Sequence, residues 1–140
     1  MSDANPGKRQ VSILMIEDNP TDAFLSREIL SESERADYSV TILRDGVEAL
    51  AYLHKDGGCE NAPKPDIILL DLDLPRMNGF EFLSRIKADP ELNTIRVCIL
   101  TTSQASEDFK KARNLKADCF LAKPLDLKAF EEAFSGIDMS

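Results

Sequence analysis

The segment Ile67-Ile68-Leu69-Leu70-Asp71-Leu72-Asp73-Leu74-Pro75-Arg76-Met77-Asn78-Gly79 reads as a buried strand, a turn and the opening of a helix. Four apolar residues in a row suit a strand covered on both faces, as the central strands of parallel sheets are. The run stops abruptly at Asp71. Pro75 and Gly79 punctuate the turn, and the chain from Gly79 to Lys87 is predicted helical, closed by Asp89-Pro90.

The same grammar repeats on either side. Upstream, Val11–Ile16 is an apolar run that ends at Glu17-Asp18. Asn19-Pro20 then supplies a cap residue and a first-turn proline for a helix reaching about Ser33. Ser39–Leu43 alternates, with Val40 and Ile42 on one face, and reads as a half-buried edge strand. Asp45 caps a second helix carrying Val47, Leu50, Ala51 and Leu53, and Gly57-Gly58, Pro63 and Pro65 mark a long loop. Downstream, Ile95–Leu100 is a further strand, and Ser103 or Ser106 opens a fourth helix that ends near Asn114. Asp118–Leu121 is a short fifth strand, and Asp126 caps a last helix with Leu127, Phe130, Phe134 and Ile137 on one stripe.

Five strands alternating with five helices imply an α/β fold with a parallel sheet covered on both faces. An alternating second strand belongs at an edge, and the solid apolar first, third and fourth strands belong at the centre. The order 2-1-3-4-5 satisfies this, the doubly wound, flavodoxin-like arrangement. Right-handed crossovers then place the first and fifth helices on one face and the other three opposite.

A chain of 140 residues, 43% of them hydrophobic, suits one domain with a core that needs no staples. The net charge of −8 argues against non-specific binding to nucleic acid or anionic membranes. The three cysteines form no C-x-x-C pair, which speaks against a disulfide framework or a thiolate zinc site. Cys98 and Cys119 sit in apolar runs and read as small buried hydrophobes, while Cys59 in the Gly-rich loop reads as an exposed thiol. His54, the only histidine, reads as a helix-end surface residue, leaving no material for a Ser-His-Asp triad. No run approaches the ~18 apolar residues of a membrane span, and residues 1–10 lack the apolar core of a signal peptide. Those residues are expected to form a disordered arm, residues 11–137 the domain, with no output domain and a cytoplasmic location.

In a parallel sheet all strand C-termini lie along one edge. Glu17-Asp18, Asp71, Thr101-Thr102 and Lys123 each follow a predicted strand, so carboxylates, hydroxyls and one amine converge where such folds bind ligands. Carboxylates held this close repel unless a cation joins them. Hard oxygen ligands in small number fit Mg²⁺, and a carboxylate beside a metal and an ammonium group can accept a phosphoryl group.

These spacings resemble a known family. Asp71 through Gly79 resembles the D-x-x-x-P-x-x-x-G signature of response-regulator receivers. Glu17-Asp18 resembles their acidic pair, Thr101 their switch hydroxyl and Lys123-Pro124 their K-P pair, and the match runs from about Val11 to Phe134. The resemblance implies that Asp71 is the phosphoacceptor for a histidine kinase. It implies that Mg²⁺ is bound by Asp18, Asp71 and the backbone carbonyl of Asp73, with Glu17 acting through water. Lys123 would pair with the phosphoryl oxygens, Lys123-Pro124 would be cis, and Thr101 would turn inward. The switch aromatic position holds Phe120 rather than the frequent tyrosine, so it either switches by packing alone or serves as a static core residue. Asp73 and Ser103 occupy positions that tune phosphoryl lifetime. Such a protein is a signalling acceptor rather than an enzyme acting on a separate substrate, catalysing only its own phosphotransfer and slow dephosphorylation.

The Glu17-Asp18-Asn19-Pro20 opening, the Leu74–Gly79 run, Leu100-Thr101-Thr102-Ser103 and the long loop around Gly57 resemble receiver-only regulators of bacterial and cyanobacterial phytochrome kinases. Relatives of that kind form dimers through the face of the fourth helix, fifth strand and fifth helix. Here Lys110, Lys111, Arg113 and Lys116 on one helix and Glu131-Glu132 on the other could pair across a two-fold axis or remain solvated. Two alternatives stand beside this reading. One is a pseudo-receiver that acts by binding alone. The other is an aspartate-nucleophile phosphohydrolase, suggested by the D-x-D of Asp71-Leu72-Asp73 but disfavoured by an acidic pair lying upstream of it.

Overall fold

The computed structural model describes residues 8–55, 64–102 and 105–134. Ten elements alternate in these segments: β1 Arg9–Ile16, α1 Pro20–Ser31, β2 Ala36–Leu43, α2 Gly46–Leu53, β3 Ile67–Leu70, α3 Gly79–Ala88, β4 Arg96–Thr101, α4 Ser106–Asn114, β5 Cys119–Ala122 and α5 Leu127–Phe134. The strands pair in parallel in the order β2-β1-β3-β4-β5. The expected topology is thus the observed one.

Strand alternation divides the core into two layers. Leu14, Ile16, Ile68, Leu70, Val97 and Ile99 project toward α2, α3 and α4, where Ala49, Phe82, Leu83, Ile86 and Ala112 meet them. Ile13, Met15, Ile67, Leu69, Cys98 and Leu100 project the other way, against Ala23 and Leu30 of α1 and Phe130 and Phe134 of α5. Ile68 and Leu70 have no exposed surface, as a central strand covered on both faces requires.

Three of the helices start where their sequence signals lie. Asn19 accepts from the N–H groups of Thr21 and Asp22 with Pro20 at the first helical position, Asp45 accepts from Glu48, and Asp126 accepts from Ala129. α3 gains a cap not foreseen from the sequence, Asn78 accepting from Glu81. α4 differs. Of the two serines offered as its start, Ser106 is its first helical residue, and the preceding Ala105 gives no side-chain cap.

The edges of the elements differ from expectation. β1 begins at Arg9 and takes in two residues assigned to the arm, because Arg9 and Gln10 pair with Ala36 and Asp37 of β2, which itself starts three residues early. Backbone pairing at an edge needs no apolar pattern, so the hydrophobic run alone understates both strands. Lys8 adds a hydrogen bond to the Ser33 carbonyl at 2.8 Å, and Gln10 bonds Asp37 at 3.2 Å. β4 and β5 each end one residue later than read, at Thr101 and Ala122. α1 stops at Ser31 because the Ser33 hydroxyl accepts from the N–H groups of Arg35 and Ala36 and turns the chain into β2. Cys119 is half-buried rather than buried, since β5 is an edge strand. Residues 1–7, Gly57, Gly58, Cys59, Pro63, Ser103 and Ile137 lie outside the described segments. Among the described residues no helix is long and apolar enough to cross a membrane.

Phe82, fully buried on α3, anchors the layer beneath the sheet. Replacing it with alanine is expected to cost about 3–5 kcal/mol of unfolding free energy in a urea titration. A loss well under about 1 kcal/mol would show that this layer is not packed as described.

Candidate functional site

The sheet register builds the site. Ile16 pairs with Leu70, Leu70 with Ile99, and Thr101 with Ala122. The next residues along the edge are therefore Glu17, Asp71 and Lys123, with Thr101 closing β4. Two backbone bonds carry the ladder past the strands: Asp71 N–H donates to the Ile16 carbonyl at 3.1 Å and Lys123 N–H to the Thr101 carbonyl at 2.9 Å.

Lys123 is the hub. Its ammonium lies 2.6 Å from Glu17 Oε1, 2.9 Å from Asp22 Oδ2 and 3.1 Å from Asp71 Oδ2. Burial works against the charge on Lys123, but hydrogen bonds to Glu17, Asp22 and Asp71 outweigh it, and the group stays protonated well above the usual lysine range. Glu17 is buried, and that burial raises its carboxyl above the ordinary value despite the Lys123 and Asn19 hydrogen bonds. Asp71 is 8% exposed, and its other oxygen accepts from Asp73 N–H at 3.2 Å. Asp18 and Asp73 are exposed at the rim, Asp18 lining a groove with Phe24, Arg27 and Arg44. Thr101 has no exposed surface. The Lys123-Pro124 bond is cis, as expected.

The donor set is two buried carboxylates, one exposed carboxylate and nearby backbone carbonyls. Among the described residues no three acidic, cysteine or histidine side chains form a ready-made metal cage. Oxygen ligands in such small number suit a hard cation that keeps several waters and takes one or two carboxylates. Phe120, half-buried, stacks edge-on against exposed Phe109 of α4 at 5.4 Å between ring centres.

The turn after Asp71 explains its own glycine. A Cβ on Gly79 would stand 2.6 Å from the Asp71 carbonyl oxygen and 2.7 Å from Leu72 Cα, so only glycine lets α3 start against the loop. Gly79 N–H binds the Leu72 carbonyl at 3.0 Å. Arg76 adopts a left-handed φ of 64°, within a tight turn in which Met77 N–H meets the Pro75 carbonyl at 2.6 Å. Its guanidinium reaches back to Asp45 Oδ2 at 2.6 Å and ties the loop to the start of α2. Burial would raise the Asp45 carboxyl, but the Glu48 N–H and Arg76 hold it below its ordinary value.

Comparison with known proteins identifies this arrangement. The family model described as response regulator receiver domain matches residues 13–135. The chain belongs to that family. This receiver is 42% identical over 139 residues to the response regulator Rcp1 of Synechocystis sp., covering 99% of this chain and 92% of that one. It superposes on the phosphorylated cyanobacterial phytochrome response regulator RcpA with a TM-score of 0.77 at 39% identity, covering 91% of each chain. The Mn²⁺-bound form of Rcp1 gives 0.76 at 41% identity over 91% of each chain, and the bacteriophytochrome response regulator AtBRR 0.77 at 34% over the same shares. Receivers of this family bind divalent metal and act in signalling.

Of the residues expected at the receiver site, Glu17, Asp71, Thr101 and Lys123 come together, Asp18 and Asp73 stand at its rim, and Ser103 lies outside the described segments. Asp22 was missed. It stands in the first turn of α1, 101 residues from Lys123 in the chain, and no local pattern marks it. The Asp45–Arg76 tie carried no local signal, because 31 residues separate its partners. One charge expectation is corrected. Glu131 does not stand free for a partner, since its Oε2 accepts from Ser33 at 2.6 Å and Tyr38 at 2.7 Å within the chain. Lys111 lies over the Phe80 ring at 4.6 Å.

Gly79→Ala should lower stability by about 1–3 kcal/mol through overpacking against backbone. An unfolding midpoint equal to wild type would show that the loop yields. Asp45, whose carboxyl is depressed on folding, contributes stability that is present above its ordinary value of 3.8 and lost as pH falls through its lower folded value. The stability gap between wild type and Asp45→Asn should therefore be full at neutral pH and close at pH below 3.8. A gap independent of pH would show that the carboxylate charge is not what Arg76 holds.

Proposed function

We propose that this receiver accepts a phosphoryl group from a phosphohistidine on a histidine kinase, with Asp71 as acceptor and Mg²⁺ as the cation. The observation that carries the reading is the Lys123 ammonium 3.1 Å from the Asp71 carboxylate at the buried end of the sheet. In the reaction a carboxylate oxygen of Asp71 attacks phosphorus as the histidine nitrogen leaves, and catalysis rests on positioning and charge neutralisation. Asp18, Asp71 and the Asp73 carbonyl would hold Mg²⁺, with Glu17 acting through water. The ion supplies positive charge that lets an anionic phosphodonor approach so many carboxylates.

The chain's own residues do the rest. Lys123 shifts from carboxylate oxygens to the phosphoryl oxygens as a point charge on a flexible stem. Thr101 closes on the new group by a hydrogen bond. Asp73 and Ser103, two residues after Asp71 and Thr101 in the sequence, tune hydrolysis of the acyl phosphate. Phe120 carries the change outward, because it packs on Phe109 and Phe109 is exposed on α4. Phosphorylation thereby biases two arrangements of the α4-β5-α5 face. A second copy of the chain or a downstream protein is the partner for that face, and Glu131, engaged internally, contributes nothing to it.

The kinase in this reading is a phytochrome acting in the cytoplasm. Its support is that Rcp1, RcpA and AtBRR are at 34–42% identity along nearly the full chain, that RcpA and AtBRR are phytochrome and bacteriophytochrome response regulators, that RcpA is known in a phosphorylated form, and that Rcp1 is known in an Mn²⁺-bound form.

Incubation with acetyl phosphate should give an intact-mass shift of one phosphoryl group, only with Mg²⁺ present, and absent in Asp71→Asn. A variant that still labels at the wild-type rate would remove Asp71 from the mechanism. Transfer from a panel of histidine kinases should be fastest from a phytochrome, and equal rates from unrelated kinases would overturn the light-signalling assignment.

A further inference from the structure

β4 and β5 carry two of the chain's three cysteines, and the register sets them opposite one another, Cys98 against Cys119. Facing residues in a parallel ladder project to the same side of the sheet. Both lie in the layer under α5, Cys98 wholly buried beside Leu100 and Phe130, and Cys119 half-buried and packed against that cluster. The register thus sets the two thiol side chains next to each other on one face. Neighbouring strands lie about 4.7–4.9 Å apart, inside the ~4.4–6.8 Å between Cα atoms that a disulfide spans. Neither thiol takes part in the phosphoryl chemistry.

We propose that Cys98 and Cys119 are a redox modification site, closing to a reversible disulfide between β4 and β5 on meeting a hydroperoxide. The two thiols have different roles. Cys119 is the accessible one, and the neighbouring Cys98 thiol holds its pKa below the ordinary range against the opposing effect of burial. The same contact, with burial, pushes Cys98 well above the ordinary range. Cys119 is therefore the attacking thiolate and Cys98 the resolving thiol.

The Cys119 thiolate, having released its proton to solvent, attacks the terminal oxygen of the hydroperoxide; an S–O bond forms, the O–O bond breaks, and the departing alkoxide or hydroxide takes a proton back from solvent. Cys98 sulfur then attacks the sulfenic sulfur of Cys119, and the hydroxyl leaves with the Cys98 proton as water. With hydrogen peroxide the pair loses two electrons and two protons, and the peroxide becomes two waters. The link lies one residue from Phe120 and three from Thr101, so it pins together the two strands that join the site to the α4-β5-α5 face.

The test treats the full chain with hydrogen peroxide, alkylates it under denaturing conditions, and maps unreduced peptides. The expected result is a linked Cys98–Cys119 peptide pair, a mass lower by one hydrogen pair, and full return of both thiols with dithiothreitol. Cys59→Ser should leave this unchanged, and Cys98→Ser should leave a sulfenic acid on Cys119 that dimedone traps. The proposal is overturned if both cysteines are alkylated after peroxide treatment, if the link forms through Cys59, or if Cys119 passes straight to sulfinic acid in the wild-type chain. The wild-type map decides without any variant, and it reads no phosphorylation, so its outcome is independent of the acceptor assignment.

Discussion

A single ammonium group, that of Lys123, holds Glu17, Asp22 and Asp71 within 3.1 Å of itself at the end of a buried parallel sheet. Without it, two of those carboxylates would face each other in a poorly hydrated crevice, and one would protonate or the strands would part. Glu17 shows the tension, since burial lifts its pKa even with the lysine in contact. The ion cluster is a weak source of stability, because desolvation consumes most of what the attraction returns. What it does is concentrate negative charge around one mobile cation.

The loop after Asp71 is held from two directions. From below, Gly79 allows α3 to begin in contact with the Asp71 and Leu72 backbone, so the loop sits on a rigid helix. From the side, Arg76 spends its left-handed conformation on reaching Asp45, whose remaining oxygen is already capping α2. Asp45 thus serves two elements at once. A substitution there disturbs the loop as well as the helix.

Opposite the loop, β4 and β5 connect the crevice to the surface. Their short pairing places Thr101 and Lys123 at one end and the Cys98–Cys119 pair at the other, with Phe120 between. The Phe120–Phe109 contact links β5 to the exposed side of α4. A covalent tie between the two strands would act on the same short segment from the opposite face of the sheet.

Much of this was legible in residue order. Apolar runs of the right length, each ended by an acid, a threonine or a lysine, determine a parallel sheet with its chemistry on one edge, because strand period and crossover handedness leave few alternatives. Asn19-Pro20, Asp45 and Asp126 announce helix starts because capping is a local bond between residues two or three apart. Tertiary structure alone decided the rest. Asp22 joined the lysine, Arg76 reached Asp45, Glu131 turned inward to Tyr38, and Cys98 met Cys119 only once the sheet was assembled. Each of those contacts spans tens of residues, and its geometry is set by register and by the packing of helices on the sheet, which no local pattern encodes.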